Sequence, residues 1–266
     1  MLKTTLLYSG SDGNAAHVTD GKTEIIIDAG RNESRLVSAL ANIGTSLDNV
    51  SAILITHEHT DHISALYTLE KRYHIPIFTG GETARAICSH PKTPIETLKQ
   101  IAGCVQIVED GAEYEVGSFI VTPFNTPHDV ASFGFRLTEQ TENKSLTYAT
   151  DTGCVTRKML EYFEGSELAV IEANHDKDML INGVYPGFLK QRILSDRGHL
   201  SNDIAARFAL WLAESGTREA ILAHLSKDNN TETCVRNVVC EILSRNNVAD
   251  FNFTIARPNN SVGIEI

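Results

Sequence analysis

The most informative segment of the sequence is VSAILITHEHTDH, residues 50–62. It opens with a short apolar run, which is typical of a buried β-strand. Alternate side chains of an extended segment share a face, so His57 and His59 can reach one metal ion together. Asp61 and His62 lie where the chain turns into a helical pattern, and they can face a second ion close by. The stretch therefore predicts a site for two metal ions at the end of a strand.

The ligand types also indicate what the two ions would do. Imidazole and carboxylate groups suit zinc, manganese or iron, and the residue types alone do not choose among these three metals. A pair of divalent ions lowers the pKa of a bound water so far that it becomes a nucleophile at neutral pH. The sequence therefore predicts a metal-dependent hydrolase. A loop in solvent can carry the same residue types, but the preceding strand favours an ordered site.

Length and composition limit the architecture. The chain has 266 residues, of which 42% are hydrophobic, so it can form one large α/β domain or two small ones. Strand and helix patterns alternate without a Pro- or Gly-rich linker, which favours a single domain over residues 1–266. No apolar run reaches about eighteen residues, so a membrane span is not expected. Five scattered cysteines without a CxxC pair, and no signal-peptide pattern, predict reduced thiols and a cytoplasmic location.

Periodicity predicts where the elements lie. It indicates helices over residues 33–43, 63–73, 203–214 and 231–244. It indicates strands over residues 4–7, 16–18, 24–27, 50–55, 75–78, 168–171, 220–222 and 252–255, with a strand-rich region over 105–148. This alternation is consistent with a layered α/β sandwich and also with a doubly wound sheet.

Three further ligand candidates each follow a predicted strand. His128 follows the strand SFIVTPF, Asp151 follows SLTY, and His224 follows the short strand that begins at Ala220. Residues at strand ends are well placed to converge at one rim of a sheet. Together with the HEHTDH segment they supply enough ligands for two ions.

The combination of HxHxDH, a later His, an Asp after a strand and a final His resembles the metallo-β-lactamase superfamily. The resemblance spans nearly the whole chain and implies a four-layered αβ/βα sandwich with the metals at its edge. It implies one ion on His57, His59 and His128, and another on Asp61, His62 and His224. It also implies that Asp151 bridges both ions and that Asp61 orients a bridging hydroxide.

Four other segments are similar to the small bacterial YycJ/WalJ-like branch of that superfamily. These are SGSDGN at 9–14, EANHD at 172–176, GHLSN at 198–202 and AHLS at 223–226. This resemblance implies a metal-dependent nuclease, with a 5′-to-3′ DNA exonuclease role and DNA as the substrate. A formal charge of −11 argues against nucleic-acid binding by the whole surface, so a local basic groove is required. The candidates for it are Lys71, Arg72, Lys190, Arg192 and Arg197.

His199 resembles the histidine that nuclease members hold near the scissile phosphate. It would donate a proton to the leaving oxygen or bind a phosphoryl oxygen, with Glu172 fixing its tautomer. The alternative is a role at the start of the helix at Asp203, where Ser201 or Asn202 is a natural N-cap.

Three other features keep two interpretations each. His175 either supplements the metal ligands or hydrogen-bonds within its own loop. Asp28 either holds a ligand histidine from behind or ends a strand as a turn residue. The 9–14 loop is either a hairpin turn or a source of backbone N–H groups for a phosphate.

Other activities use similar ligands. A thioesterase of the glyoxalase II type is the enzymatic alternative, although no cationic clamp for its thiol cofactor is evident. A true β-lactamase is disfavoured by a bridging Asp151, and a flavodiiron reductase would have Glu in place of His59. The non-enzymatic alternative is a metal-binding regulatory protein.

Overall fold

The structure, a computed structural model, describes residues 1–258 and 260–266. Its described strands, numbered along the chain, form two seven-stranded sheets. The first sheet has the order β14-β1-β2-β3-β4-β5-β6 and consists of β1 Lys3–Tyr8, β2 Ala15–Thr19, β3 Glu24–Ile27, β4 Val50–Leu54, β5 Ile77–Thr79, β6 Val105–Ile107 and β14 Val262–Glu265. The second has the order β13-β12-β11-β10-β9-β8-β7 and consists of β7 Tyr114–Val116, β8 Phe119–Thr126, β9 Ser132–Glu139, β10 Ser145–Ala149, β11 Leu168–Glu172, β12 Glu219–Ala223 and β13 Asn252–Ile255.

The helices pack on the outer faces of the two sheets. Helices on the first sheet are α1 Glu33–Asn42, α2 Thr60–Ile63, α3 Leu66–Leu69, α4 Gly81–Cys88 and α5 Ile95–Cys104. Those that follow β10 are α6 Arg157–Phe163, α7 Lys177–Asn182, α8 Gly187–Ile193, α9 Asn202–Glu214 and α10 Glu232–Arg245. Of these, α6, α9 and α10 cover the outer face of the second sheet.

The central core lies between the two sheets. Ile27 and Leu54 of the first sheet belong to the same buried cluster as Phe135, Val170 and Ile221 of the second. Alternate residues of the same strands face outward, toward the helices, because successive side chains of a strand point to opposite faces. The predicted four-layered αβ/βα sandwich is therefore confirmed, and a doubly wound sheet is excluded.

The direction of the strands positions the site. In the first sheet β3, β4, β5 and β6 run parallel, and in the second β10, β11, β12 and β13 do. The carboxyl ends of parallel strands share one edge of a sheet, and ligands in open α/β sheets bind at that edge. Asp28, the HEHTDH segment, Asp151, Glu172 and His224 all lie at or just beyond such ends.

The predicted helix over 63–73 is wrong. α2 ends at Ile63, and a separate short helix, α3, follows it. The break has a tertiary cause, because the Ala65 N–H donates to the Ala29 carbonyl at 2.8 Å and the Ala29 N–H donates to the His62 carbonyl at 2.7 Å. These two bonds tie the HEHTDH segment to the end of β3. None of the helices in the described ranges has the length and apolar character that crossing a membrane requires.

Candidate metal centre

The structure brings all seven predicted ligands together at the shared edge of the sheets. Three groups of side chains each offer ligand atoms that lie within 4.8 Å of one another. The groups are His57, His59 and His128; Asp61, His62 and His224; and His57, His62 and Asp151. The first two groups match the two ligand sets that the sequence predicted, and the third places Asp151 next to members of both.

Four ligand atoms at this edge are buried without a hydrogen-bond partner among the described residues. They are the Nε2 atoms of His57, His128 and His224, and Oδ2 of Asp151. The Asp129 carboxylate lies 3.1 Å from Nε2 of His128 but does not meet hydrogen-bond geometry. A buried polar atom left without a partner costs free energy, so native structures rarely keep four together. A cation supplies the missing partner to all of them, and this donor set therefore fits divalent metal ions.

The other ring nitrogen of each of these three histidines is already engaged. Nδ1 of His57 lies 2.9 Å from Thr56 Oγ1, and Nδ1 of His128 lies 3.2 Å from the Gly198 carbonyl oxygen. Nδ1 of His224 lies 2.9 Å from Glu172 Oε1. A hydrogen bond at Nδ1 fixes the ring and leaves the Nε2 lone pair for a metal. The rings are thus oriented for coordination by their surroundings.

His62 is held from behind by a buried carboxylate. Its Nδ1 lies 2.7 Å from Asp28 Oδ2, and the Thr56 N–H and hydroxyl donate to the same carboxylate. Asp28 thus takes the positioning role rather than that of a turn residue. Thr56 was not singled out from the sequence; as the residue between a strand and a ligand, it gave no chemical signal of its own.

Three residues at this edge have a strained backbone conformation. Asp28, Asp151 and His224 have φ angles of 61°, 56° and 57°, in the left-handed region. Non-glycine residues seldom adopt this conformation, and holding one there costs about 1–3 kcal/mol. Each of the three lies within two residues of a strand end, where the left-handed turn aims the side chain across the sheet edge.

The electrostatics of the centre are dominated by its buried carboxylates. Burial lowers the pKa of His62, but the carboxylates of Asp28, Asp151 and Asp61 outweigh this effect and raise the pKa to about 9. By contrast, burial and the neighbouring imidazoles hold the pKa of His57 well below its usual value. The carboxylates around His62 thus favour additional positive charge next to them. Divalent ions would provide this charge.

Glu172 connects the centre to His199. Its Oε1 lies 2.7 Å from Nδ1 of His199 and 2.9 Å from Nδ1 of His224, and its Oε2 accepts from the N–H groups of Leu200 and Thr152. The carboxylate is fully buried. Because Nδ1 of His199 faces Glu172, the remaining atom, Nε2, is the one available to a substrate. Burial lowers the pKa of His199, but the carboxylates of Glu172 and Asp151 outweigh it, so the pKa is raised.

The 9–14 loop packs into the centre. Ser9 Oγ accepts from the His224 N–H at 2.8 Å, and Asn14 Nδ2 lies 3.1 Å from His62 Nε2. The same amide donates to Asp61 at 3.4 Å. Gly30 makes this close approach possible, because a Cβ there would lie 1.8 Å from the Asp61 carbonyl oxygen. The loop therefore supports the ligands in addition to closing a turn.

Two sequence candidates lie outside the metal groups. His175 is buried, and neither of its ring nitrogens has a hydrogen-bond partner in the described part of the chain. It belongs to none of the groups of possible ligands. Ser201 occupies the N-cap position of α9, but its side chain makes no capping hydrogen bond among the described residues.

Two of the five basic candidates lie at the rim of the centre. Arg192 pairs with Asp129 at 2.9 Å, and Arg197 lines a cleft that also contains His128. Asp129, which the sequence did not single out, also lies 3.4 Å from Nε2 of His59, a predicted ligand. Lys190 instead donates to main-chain carbonyl oxygens.

Comparison with known proteins agrees with this geometry. A family model described as a beta-lactamase superfamily domain matches residues 23–225. The chain belongs to the beta-lactamase superfamily, as its sequence predicted.

Two relatives cover most of the chain. It is 35% identical over 233 residues to exodeoxyribonuclease WalJ of Streptococcus pneumoniae, covering 86% of this chain and 83% of the relative. It is also 35% identical over 242 residues to exodeoxyribonuclease YycJ of Bacillus anthracis, covering 91% and 89%. The predicted similarity to the YycJ/WalJ-like branch is thus confirmed. Among solved structures, the metallo-beta-lactamase fold protein YhfI from Bacillus subtilis has a TM-score of 0.70 at 19% identity, covering 98% of this chain and 99% of that one, which supports the fold.

Proposed function

We propose that this protein is a metal-dependent phosphodiesterase that degrades DNA from an end, with 5′-to-3′ polarity. The observation that carries the proposal is the Glu172–His199 pair beside a complete set of metal ligands. The relatives WalJ and YycJ, both named exodeoxyribonucleases, support the same substrate class.

We further propose two ions in the centre. His57, His59 and His128 would hold one ion, Asp61, His62 and His224 would hold the other, and the carboxylate of Asp151 would be available to both. The four buried atoms without hydrogen-bond partners support this assignment. When bound, such ions polarise a phosphoryl oxygen and lower the pKa of water. In this proposal the carboxylate of Asp61 also orients the attacking water.

His199 acts on the leaving side of the phosphate. Glu172 holds its Nδ1 at 2.7 Å and leaves Nε2 for the substrate, and the ring lies 5.3 Å from His128 and 5.4 Å from His224 between centroids. An N–H at Nε2 donates a proton to the leaving oxygen or binds a phosphoryl oxygen as charge develops. Because Glu172 is buried, it keeps this tautomer without competition from water.

The rim beside the centre supplies the contacts to the strand. Arg192 and Arg197 offer positive charge to the DNA backbone despite the acidic net charge of the chain. Between α7 and α9 the chain also carries two exposed apolar side chains: Val184 is 92% exposed and Phe188 is 74% exposed. An exposed aromatic ring next to cations is the arrangement on which bases of a single strand stack. We propose that the end of the DNA lies over this rim.

A substrate panel tests the proposal. The wild-type protein is supplied with manganese or zinc and given 5′-phosphorylated duplex DNA, single-stranded DNA, RNA, a thioester and bis(p-nitrophenyl)phosphate. We expect turnover of the ester and of DNA, and its loss in Asp61→Ala. Hydrolysis of the thioester alone would favour the glyoxalase-type alternative. Absence of metal-dependent turnover on every substrate would contradict an enzymatic role.

A further inference from the structure

A second cluster of ligand-type side chains lies at the opposite edge of the first sheet. Glu70 follows α3, His74 lies shortly before β5, and Cys104 is the last residue of α5, directly before β6. Strands β5 and β6 run parallel and pair at their first residues. The cluster therefore lies at the amino ends of these strands, whereas the HEHTDH segment follows the carboxyl end of β4. This cluster is independent of the candidate metal centre.

Glu70 is the unusual member of the cluster. The residue is fully buried, and neither carboxylate oxygen has a partner with full hydrogen-bond geometry among the described residues. Burial raises the pKa of this carboxyl group, although the nearby Cys104 thiol and Ile75 N–H lower it. A carboxylate removed from water is costly unless a charge or several donors compensate it. The arginine nearest in sequence, Arg72, pairs with Glu33 at 3.2 Å. The fold thus keeps a buried acid next to an imidazole and a thiol.

The geometry suits a single ion. One ligand atom from each of Glu70, His74 and Cys104 lies within 4.8 Å of the others. Ligands bound tetrahedrally at roughly 2.0–2.3 Å are roughly 3.3–3.8 Å apart, so small side-chain rotations would close the cluster around a metal. Sulfur, nitrogen and oxygen donors together suit zinc, whereas oxygen ligands alone would suit calcium or magnesium.

We propose that Glu70, His74 and Cys104 bind a divalent ion of the zinc class at a third metal site, with water as the fourth ligand. The ion joins the turn after α3 to the end of α5, so its role is to stabilise the first sheet rather than to take part in hydrolysis. On binding, Cys104 gives up its thiol proton to solvent, and the metal–sulfur bond forms on the resulting thiolate. The buried carboxylate of Glu70 gains a divalent positive charge next to it.

Cobalt titration of the full-length protein separates this site from the catalytic centre. The ligands assigned to the centre are histidines and aspartates, whereas the third site contains a thiolate. A thiolate-to-cobalt charge-transfer band in the near-ultraviolet therefore reports the third site, and the visible d–d bands report bound cobalt in general. The matched variants are Cys104→Ser and, as control, Cys88→Ser, which changes another half-buried free cysteine at the end of α4.

We expect the charge-transfer band in the wild type and in Cys88→Ser, and its loss in Cys104→Ser, which keeps the d–d bands of the centre. His74→Asn should weaken cobalt binding at this site at least about tenfold, because it removes the imidazole. Asn tolerates the φ of 49° at position 74, and the position is exposed, so this variant tests the site even if Cys104→Ser folds poorly. No band in the wild type at saturating cobalt, or a band that survives Cys104→Ser, would overturn the proposal.

Discussion

Replacing Glu172 by Gln tests how the centre is connected to His199. The two oxygens of this carboxylate have separate tasks, since Oε1 faces two imidazole Nδ1 atoms and Oε2 faces two main-chain N–H groups. Gln preserves the shape but turns one oxygen into an NH2 donor. Whichever way the amide turns, two donors lose their acceptor.

The magnitude follows from those two lost bonds. A hydrogen bond to a charged group contributes about 1.5–3 kcal/mol, so Glu172→Gln should destabilise the protein by about 3–6 kcal/mol. Loss of the partner that orients a metal-bound histidine typically reduces metal affinity or activity about 10- to 100-fold. We expect kcat for bis(p-nitrophenyl)phosphate to fall by this factor, with a smaller change in KM.

The assay combines urea unfolding, metal titration and a pH–rate profile. Glu167→Gln is the matched control, because this exposed carboxylate precedes the same strand, β11, and also accepts hydrogen bonds, from Ser145. It should leave turnover and the profile unchanged. If Glu172 had only a structural role, Glu172→Gln would be less stable but would keep the pH–rate profile of the wild type. Wild-type metal affinity and an unchanged profile in Glu172→Gln would refute the reasoning.

Three further predictions concern other parts of the molecule. Phe188→Ala should raise KM for single-stranded DNA about tenfold, because stacking on an aromatic ring contributes about 1–3 kcal/mol per base. Turnover of bis(p-nitrophenyl)phosphate should stay unchanged. An unchanged KM for DNA would argue against DNA binding at the proposed rim. Burial lowers the pKa of His175 to about 4, against 6.5 for an ordinary histidine. The unfolded chain then binds a proton at this residue before the folded one does, and stability falls as pH drops from about 6.5 toward 4. We expect the free energy of unfolding in urea to fall less between pH 7 and pH 4 in His175→Gln than in the wild type, by about 3 kcal/mol. An equal fall in the variant and the wild type would contradict the burial argument. Removal of metal with a chelator should abolish turnover and lower Tm, and added manganese or zinc should restore both. The reason is that an ion at about 100 times its Kd contributes about 2.7 kcal/mol to stability. An unchanged Tm after chelation would contradict a bound ion.

The clustering of the candidate metal ligands could be predicted from the sequence because part of their pattern is local. Within HEHTDH the chain changes from an extended segment to a helical turn, and this change separates the side chains into two sets. The directions of side chains in an extended segment and in a helix are local properties of the backbone. His128, Asp151 and His224 were predictable because each follows a strand, and parallel strands bring their ends to one edge. The sandwich was implied by the family resemblance, since alternation of strands and helices also allowed a doubly wound sheet.

The supporting contacts could be predicted only in part: the contact of Glu172 with His199 was expected from the family resemblance, and Asp28 behind a histidine was one of two interpretations. The other contacts join residues far apart in the chain. Thr56 and Asp28 meet only when β3 and β4 pair, and Ser9 meets His224 across 215 positions. The incorrect helix over 63–73 has the same origin, because the hydrogen bond from Ala65 to Ala29 overrides the helical pattern. Strand β14 was also missed, since a short Gly-containing segment gains its strand conformation only by pairing with β1.

The central claim is that a two-ion centre cleaves phosphodiester bonds in DNA. Its most direct test is the rate of nucleotide release from 5′-phosphorylated DNA, measured against bound metal per chain. Cys104→Ser provides the background for this measurement, so that the third site does not contribute to the count. We expect turnover to rise with the second bound ion and to reach a plateau there. A plateau at one ion per chain, or no release of nucleotides at saturating metal, would contradict it.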